Sequence, residues 1–472
     1  MRKAPGPRLV LLVVLAISQA RAEPVRSAAE EQFSAWLAAF NSKGRGKLAA
    51  YHAAAFPFSA AKVDEVSDLD HELVLAKNTD GFDVVKVEET SATRHVATLR
   101  TREAHHVVAR ATMDVDPAPP HHVVAFEIHA LPPPEPPLAE RDPFVAARLL
   151  MKRNDFAGAV LVAKNGKTVF LETAGLADRE RKISNRATTK FRIGSMNKMF
   201  TAVATLQLVQ AGKISLDAPL GKYLPDYPNK EVADKVTIHE LLTHTAGTGD
   251  FFGPVFDAHR LELRTHADYV RLFGSRKPEF TPGTRWRYSN YGFLLLGNII
   301  ERVSGESYYD YVRRHIYEPA GMSATGSEPE ERDVPGRSVG YMKDEKTGAT
   351  VPNTETLPYR GTSAGGGYST VGDLARFAHA IKQHKLIDAH YSELLTAGKM
   401  DIPTGRYAYG FQDNVVHGIH CFGHDGGAPG MNGQLSFCTA AGYVVVVLAN
   451  EDPPAANRIE AAIVDRLPLA PP

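Results

Sequence analysis

Phe191-Arg-Ile-Gly-Ser-Met-Asn-Lys-Met-Phe200 leads into an apolar pattern at helical spacing. The pattern predicts a helix that begins at Ser195 and ends near Gly212, where a glycine can terminate it. Ser195 and Lys198 are three residues apart and so share one face of that helix. We therefore expect the amine of Lys198 to reach the hydroxyl of Ser195, at a helix end whose dipole favours a developing negative charge.

A lysine can take a proton from a serine only as a free amine. We therefore expect burial and a neighbouring cation to lower the pKa of Lys198 by about 3 units. The spacing alone is weak support, because Ser-x-x-Lys recurs by chance, and Ser59 with Lys62 has it too. No partner motif follows that second pair in order, so we interpret it as surface residues.

A second group of polar residues lies in Phe280-Thr-Pro-Gly-Thr-Arg-Trp-Arg-Tyr-Ser-Asn290, just before an apolar helix. Tyr288 and Asn290 enter this helix from a proline-glycine turn, so both side chains can project into one cleft. A phenol there can shuttle a proton to a leaving group, and an amide can hold the lysine or the substrate. Tyr227-Pro-Asn229 has the same spacing, but its prolines predict a surface turn.

A third group is the glycine-rich Phe422-Gly-His-Asp-Gly-Gly-Ala-Pro-Gly-Met-Asn-Gly433, which predicts a strand that ends in a turn. Glycines allow a substrate to approach the backbone closely. The backbone N–H groups of Gly427 and Ser195 could together form an oxyanion hole. Taken alone, the Tyr288 segment would be interpreted as a buried structural tyrosine and the glycine-rich segment as an ordinary turn. Their order behind Ser195 and Lys198 is what favours a catalytic role.

The order Ser-x-x-Lys, Tyr-x-Asn and a basic residue before x-Gly resembles the serine β-lactamase-related family. This family joins class C β-lactamases, D-alanyl-D-alanine carboxypeptidases and certain esterases. The likeness runs from about Phe156 to Asn450 and includes two further segments, 241–247 and 364–377. It implies an α+β fold of the β-lactamase/transpeptidase type, in which helices flank an antiparallel sheet.

The resemblance also implies a role for each matched residue and requires no metal or organic cofactor. Ser195 would be acylated, Lys198 would be the base, and Tyr288 would relay the proton. The substrate would be bound by Asn290, His424, Gly426 and Gly427, with His424 on the opposite wall of the cleft.

The third motif departs from the family pattern, which is usually Lys-Thr-Gly or Lys-Ser-Gly. Here it is His424-Asp425-Gly426, so a fixed cation and a hydroxyl that could grip a substrate carboxylate are missing. We therefore expect a hydrolase of small amides or esters, of the D-amino-acid peptidase or carboxypeptidase type, and not an efficient β-lactamase. A carboxylesterase and a non-turnover β-lactam-acylated sensor or binding protein stay open as alternatives.

Prolines mark a boundary between two modules at residues 131–137. Upstream, Phe33, Trp36, Leu37 and Phe40 predict a helix with one buried face, and short valine-rich runs predict antiparallel strands. We assign 23–130 to a small α+β module similar to the nuclear-transport-factor-2-like cone. Residues 138–472 form the hydrolase domain.

The first 22 residues have the charged, apolar and small-residue order of a secretory signal, so we expect export to the periplasm or medium and no membrane segment after its removal. Lys plus Arg and Asp plus Glu number 54 each, so no overall charge draws the protein to nucleic acid. Cys421 and Cys438 flank the glycine-rich turn and would face each other if their runs paired. Two separate buried thiols are the alternative, and the oligomeric state is left open.

Overall fold

The computed structural model describes residues 26–56, 72–73, 75–76, 79–102, 107–131, 141–344, 347–402 and 405–469. The predicted signal at 1–22, nearly all of the linker, and the pair Ser59 and Lys62 lie outside the described residues. The chain divides into two compact units at residues 135 and 136, and each is described here by itself.

The first unit packs two helices against a four-stranded antiparallel sheet. Its core contains Phe33, Trp36 and Phe40, and Leu37, the fourth residue expected to face inward, is partly buried and packs against this core. The elements are α1 (Ala28–Asn41), α2 (Arg45–Ala55), β1 (Phe82–Thr90), β2 (Arg94–Thr101), β3 (Val108–Val115) and β4 (Val123–Ala130).

The second unit is built on an eight-stranded antiparallel sheet to which both ends of the unit contribute. A helix and a hairpin come first, and most strands come last. In order across the sheet the strands are β13 (Met400–Ile402), β14 (Gly405–Tyr407), β15 (Gln412–Val416), β16 (Ile419–Ala428), β17 (Met431–Cys438), β18 (Tyr443–Ala449), β5 (Gly158–Lys164) and β6 (Lys167–Ala174).

Alternate residues of each central strand point to opposite sides of this sheet. Both sides are buried, because each packs against a layer of its own. Leu161 and Val446 face the helical middle of the unit. Val160 and Val447 face the other way, toward α3 (Pro143–Arg153) and α14 (Ala455–Val464). The hairpin of β5 and β6 turns at 165–166, where both residues have positive φ as the Asn-Gly sequence requires.

The remaining elements form the helical middle and its small strand pairs. The helices are α4 (Asn197–Gln210), α5 (Lys230–Lys235), α6 (Ile238–Thr243), α7 (Pro254–His259), α8 (His266–Phe273), α9 (Asn290–Ser304), α10 (Tyr308–Val312), α11 (Glu318–Ala320), α12 (Val371–Lys382) and α13 (Ala389–Thr396). The strands are β7 (Leu176–Asp178), β8 (Ile183–Ser184), β9 (Phe191–Arg192), β10 (Tyr341–Lys343), β11 (Thr350–Pro352) and β12 (Tyr368–Ser369).

Cys421 and Cys438 form a disulfide between β16 and β17. The two strands pair in antiparallel register, with Phe422 opposite Phe437, so the cysteines stand next to this pair. Both are buried with α14 on the sheet face away from the helical middle. The disulfide therefore ties together the hairpin that carries the third motif.

Candidate active site

Ser195 lies in a short turn between β9 and α4. The α-helix begins at Asn197, two residues after the predicted start, because residues 194–196 form a 3-10 turn. Strand β16 passes directly beside this turn: a side-chain carbon at Gly426 would stand 1.9 Å from the carbonyl oxygen of Ile193. Only glycine fits there. The close approach brings the backbone of Gly427 to the serine turn, since a carbon added at Gly194 would lie 3.0 Å from the Gly427 nitrogen.

Lys198 is fully buried and has three polar partners. Its Nζ lies 3.0 Å from Ser195 Oγ, 2.7 Å from Asn290 Oδ1 and 2.5 Å from the carbonyl oxygen of Ala364. Asn290 Oδ1 and the carbonyl can only accept hydrogen bonds, so they take both N–H bonds of a neutral amine. The remaining lone pair is then available to the Ser195 hydroxyl, which is the arrangement that a general base needs.

Burial lowers the pKa of Lys198 to about 7, and the negative charges of Asp250 and Asp425 act in the opposite direction. We expected a neighbouring cation to assist this shift. The groups that act on Lys198 are instead two carboxylates, and the nearby imidazoles are uncharged, as described below. Desolvation alone therefore lowers the pKa of Lys198.

Asp250 fixes the orientation of the Asn290 amide and was not anticipated from the sequence. Its Oδ2 accepts a hydrogen bond from Asn290 Nδ2 at 2.7 Å. A carboxylate only accepts, so the amide nitrogen must face Asp250 and the amide oxygen must face Lys198. The backbone of Asp250 is held in turn by Arg276, whose guanidinium donates to the Asp250 carbonyl. The only sequence signal was its place three residues after the 241–247 segment.

Tyr288 covers Lys198 and bonds to Ser195. The amine lies 4.7 Å from the centre of the Tyr288 ring, and the phenol forms a hydrogen bond with the Ser195 side chain. Burial raises the pKa of the phenol well above its usual value of about 10. Tyr288 therefore keeps its proton near neutral pH and can act as a proton donor, whereas Lys198 is the group with an available lone pair.

His424 is positioned differently from our expectation. It is only 1% exposed and does not line the cavity beside Ser195. Its Nε2 lies 2.9 Å from Tyr407 Oη, and its Nδ1 lies 2.6 Å from the carbonyl oxygen of Asp425. Both ring nitrogens are thus occupied. His424 lies behind Tyr288, which does line the cavity; the centres of the two rings are 6.4 Å apart.

A chain of hydrogen bonds joins His424 to a second buried histidine, His244. The Ser289 N–H donates to His244 Nδ1, so a neutral His244 carries its proton on Nε2 and donates it to Tyr407 Oη. Tyr407 then donates to His424. Burial lowers the pKa of both histidines. With both rings neutral, every hydrogen bond in the chain has one proton. The His244 ring also packs against Tyr288, with the ring centres 4.3 Å apart and the planes tilted by 36°.

Asp425 does not line the cavity either. Its carboxylate accepts a hydrogen bond from Gln412 Nε2 at 3.1 Å, on the adjacent strand β15. The same carboxylate lies 3.5 Å from His424 Nδ1, so it also contacts the ring of the neighbouring residue on β16. Asp425 therefore acts on the site through its charge, by opposing the fall in the pKa of Lys198.

A cavity of about 530 Å³ opens beside Ser195. Ser195, Tyr288, Asn290 and Gly427 lie at its base, so it brings together four of the seven predicted site residues, while Lys198, His424 and Gly426 lie behind it. Within the part of the chain that the structure describes, no group of three or more His, Cys, Asp or Glu side chains is arranged to hold a metal ion. The rest of the cavity lining is mainly apolar and comes from Phe251, Phe252, Phe256, Tyr269, Leu357, Pro358, Pro429 and Met431.

Several known proteins are similar to this chain in sequence and fold. A penicillin-binding protein from Bacillus halodurans is 33% identical, and its structure superimposes with a TM-score of 0.63 over 67% of this chain and 98% of that protein. A D-stereospecific amidohydrolase from Streptomyces sp. is 28% identical, with a TM-score of 0.59 over 70% of this chain and 98% of its own.

Esterase EstB of Burkholderia gladioli is 34% identical over 215 residues, which are 42% of this chain and 54% of the esterase. The family model described as Beta-lactamase matches residues 146–470, which include every residue of the site. The chain therefore belongs to the Beta-lactamase family.

Proposed function

We propose that this protein is a serine hydrolase that cleaves amide or ester bonds of small substrates through an acyl-enzyme on Ser195. The observation that carries the proposal is the hydrogen bonding of Lys198. A buried amine whose two N–H bonds are taken by Asn290 and Ala364 has its lone pair left for the Ser195 hydroxyl. Lowering the pKa of a buried lysine is a recognised way to activate a nucleophile.

The first half of the reaction forms the acyl-enzyme. Lys198 takes the Ser195 proton as Oγ attacks the substrate carbonyl carbon, and the carbonyl oxygen becomes an oxyanion. The backbone N–H groups of Ser195 and Gly427 are the groups to stabilise that charge. The Tyr288 phenol donates its proton to the leaving nitrogen or oxygen and recovers one from the Lys198 ammonium, so the leaving group departs protonated.

The second half of the reaction releases the acid. A water molecule gives a proton to the base and attacks the acyl carbon, and Ser195 recovers its proton as the carbon–Oγ bond breaks. The net change is addition of one water across the scissile bond, with every protein group returned to its starting state.

The third motif favours a neutral leaving group over one that carries a carboxylate. His424 is buried and neutral, with both nitrogens occupied, so it offers no charge at the position where the family usually has lysine. A carboxypeptidase needs a partner for the carboxylate of its leaving residue. We therefore favour an amidase or an esterase, and the similarities to an amidohydrolase and to EstB support both.

The experiment that tests this function combines a covalent probe with turnover. A fluorophosphonate is expected to add once per chain, on the peptide that contains Ser195, and to stop hydrolysis of a short nitrophenyl ester and a D-alanyl anilide. A stable adduct with a β-lactam, together with no turnover of ester, anilide or a chromogenic cephalosporin, would favour the sensor instead. Labelling of a different serine would contradict the proposal.

We also propose that the protein is exported, with cleavage after Ala22. The disulfide between Cys421 and Cys438 supports this, because such bonds persist mainly in oxidising compartments. In the portion of the chain that the structure covers, no helix is long and apolar enough to cross a membrane. Mass spectrometry of the mature protein is expected to find Glu23 first, and an exported form that keeps Met1 would contradict this.

A further inference from the structure

One side of the cavity beside Ser195 is a wall of aromatic rings formed by Phe251, Phe252, Phe256 and Tyr269. The rings of Phe251 lie 4.5 Å from Phe252, 5.3 Å from Phe256 and 5.1 Å from Tyr269. Phe251, Phe256 and Tyr269 are buried, whereas Phe252 is 61% exposed at the mouth of the cavity. We call these four residues the aromatic wall.

The aromatic wall begins next to Asn290. Asp250 bonds to the Asn290 side chain, and its Oδ1 accepts the backbone N–H of Phe251 at 2.7 Å. Arg276 holds the carbonyl oxygens of Thr248 and Asp250. These bonds fix the start of the wall relative to Asn290 and Lys198.

Tyr288 has a different set of neighbours, namely His244, Tyr407 and His424. In the proposed reaction the leaving group must lie at the Tyr288 phenol, where it receives its proton. The aromatic wall adjoins Asn290 instead. The part of the substrate that packs on this wall is therefore the acyl part, which stays on Ser195.

The charge around the cavity also points to an uncharged acyl group. Asp257 and Arg360 are the charged side chains in the described lining. Arg360 stacks on Tyr309, with its guanidinium carbon 3.4 Å from the ring centre, and its Nε donates to the carbonyl oxygen of Ser327 at 2.9 Å. Asp257 and Arg360 carry opposite charges, so the lining offers no net charge to bind an ionised acyl group. An acetyl group would leave most of the 530 Å³ cavity empty and the aromatic wall uncovered.

We infer that the aromatic wall is the acyl-binding site and that the preferred substrates carry a large, uncharged, apolar acyl group, of the size and shape of phenylacetyl. This inference rests on the proposed acyl-enzyme at Ser195 and names its substrate class. Burial of an apolar group against such a wall lowers the barrier to acylation in proportion to the area it removes from water.

The test compares nitrophenyl esters of acetate, octanoate, phenylacetate and succinate with the full-length protein. After division by each ester's rate with hydroxide, kcat/KM for phenylacetate is expected to exceed that for acetate by about tenfold or more, a range typical of apolar pockets. Phe252→Ala is expected to reduce kcat/KM for phenylacetate by about fivefold to tenfold and that for acetate by less than about twofold.

Val255→Ala is the matched control, since Val255 is exposed, lies in the same segment and does not line the cavity. It is expected to leave both esters unchanged. The ratio of the two kcat/KM values does not depend on how much of a variant is folded. Equal rates on all four esters, an equal loss on acetate and phenylacetate in Phe252→Ala, or a preference for succinate would each overturn the inference. Those results leave the proposed function standing, whereas failure of the wild-type protein to hydrolyse any of the esters or the D-alanyl anilide would refute the function itself.

Discussion

Ser195→Ala and Lys198→Met are each expected to lower kcat by about 10⁴-fold or more, and the double variant is expected to be no worse than either single one. Residues that act as one unit lose their joint contribution when either is removed. Lys198 Nζ lies 3.0 Å from Ser195 Oγ. Without Lys198 the Ser195 hydroxyl has no base, and without Ser195 the Lys198 amine has no hydroxyl to deprotonate. The measurement is steady-state hydrolysis of a nitrophenyl ester by all three variants.

Lys213→Met is the control for the loss of a lysine, because Lys213 is exposed just after α4. It is expected to keep full activity. Losses that multiply in the double variant would mean that the two side chains act independently. That outcome would contradict the assignment of Lys198 as the base for Ser195.

The pH dependence follows from the pKa of Lys198, which burial lowers to about 7. The amine must be neutral to accept the serine proton, so kcat/KM of the wild-type protein is expected to rise with pH and to level off above about pH 7 to 8. An ordinary lysine would place this rise near pH 10.4. Activity that increases only above about pH 9 would contradict a lowered pKa.

The same shift predicts that Lys198→Met unfolds less easily than the wild-type protein near pH 7. Between about pH 7 and pH 10 the unfolded chain keeps a proton on this lysine and the folded chain does not, so wild-type stability rises with pH in that window. The lowering of about 3 pKa units means that Lys198→Met can raise the free energy of unfolding at pH 7 by at most about 4 kcal/mol. Loss of the three hydrogen bonds of Lys198 reduces this gain. Methionine, of similar shape, has no such penalty. Urea unfolding is therefore expected to show a stability difference that narrows as the pH rises.

The sequence was sufficient to predict that Ser195 and Lys198 lie within hydrogen-bond distance, because the geometry of this pair is local. Two residues that lie three positions apart in one continuous helical segment come close together whatever the rest of the chain does. Tyr288 and Asn290 could be named because they enter a helix from a turn in a recognisable order. The lowered pKa of Lys198 also followed from chemical necessity, although its cause is burial alone and not the cation we expected.

Other parts of the site depend on contacts that no local pattern contains. Asp250 lies 40 residues from Asn290, and Tyr407 lies 163 residues from His244. Alternation along β16 predicts which face His424 occupies, but not that Tyr288 and Tyr407 lie beside it there. Tyr227, which we interpreted as part of a surface turn, is 3% exposed because it packs in the hydrophobic core, where its hydroxyl bonds to that of Tyr291. Tertiary packing therefore decided which polar side chains reach the substrate.

Tyr288→Phe is expected to separate substrates by their leaving groups. Anilide hydrolysis should fall by about 10²-fold to 10³-fold in kcat/KM, the usual size of a lost proton transfer, while hydrolysis of the nitrophenyl ester should fall by about tenfold or less. An aniline nitrogen must be protonated before it leaves, whereas a nitrophenolate leaves as the anion. The phenylalanine ring still covers Lys198 and packs against His244, so the site keeps its shape.

Tyr227→Phe is the matched control, because Tyr227-Pro-Asn229 has the same spacing and Tyr227 is also a buried tyrosine outside the cavity lining. Loss of its bond to Tyr291 is expected to lower the free energy of unfolding by about 1 kcal/mol and to leave both substrates unaffected. Since the pKa of the Tyr288 phenol is raised well above 10, it stays protonated across the working range and adds no fall in rate below about pH 10. An equal loss on anilide and ester would show that Tyr288 maintains the shape of the site and does not deliver the proton, because only proton delivery depends on the basicity of the leaving group.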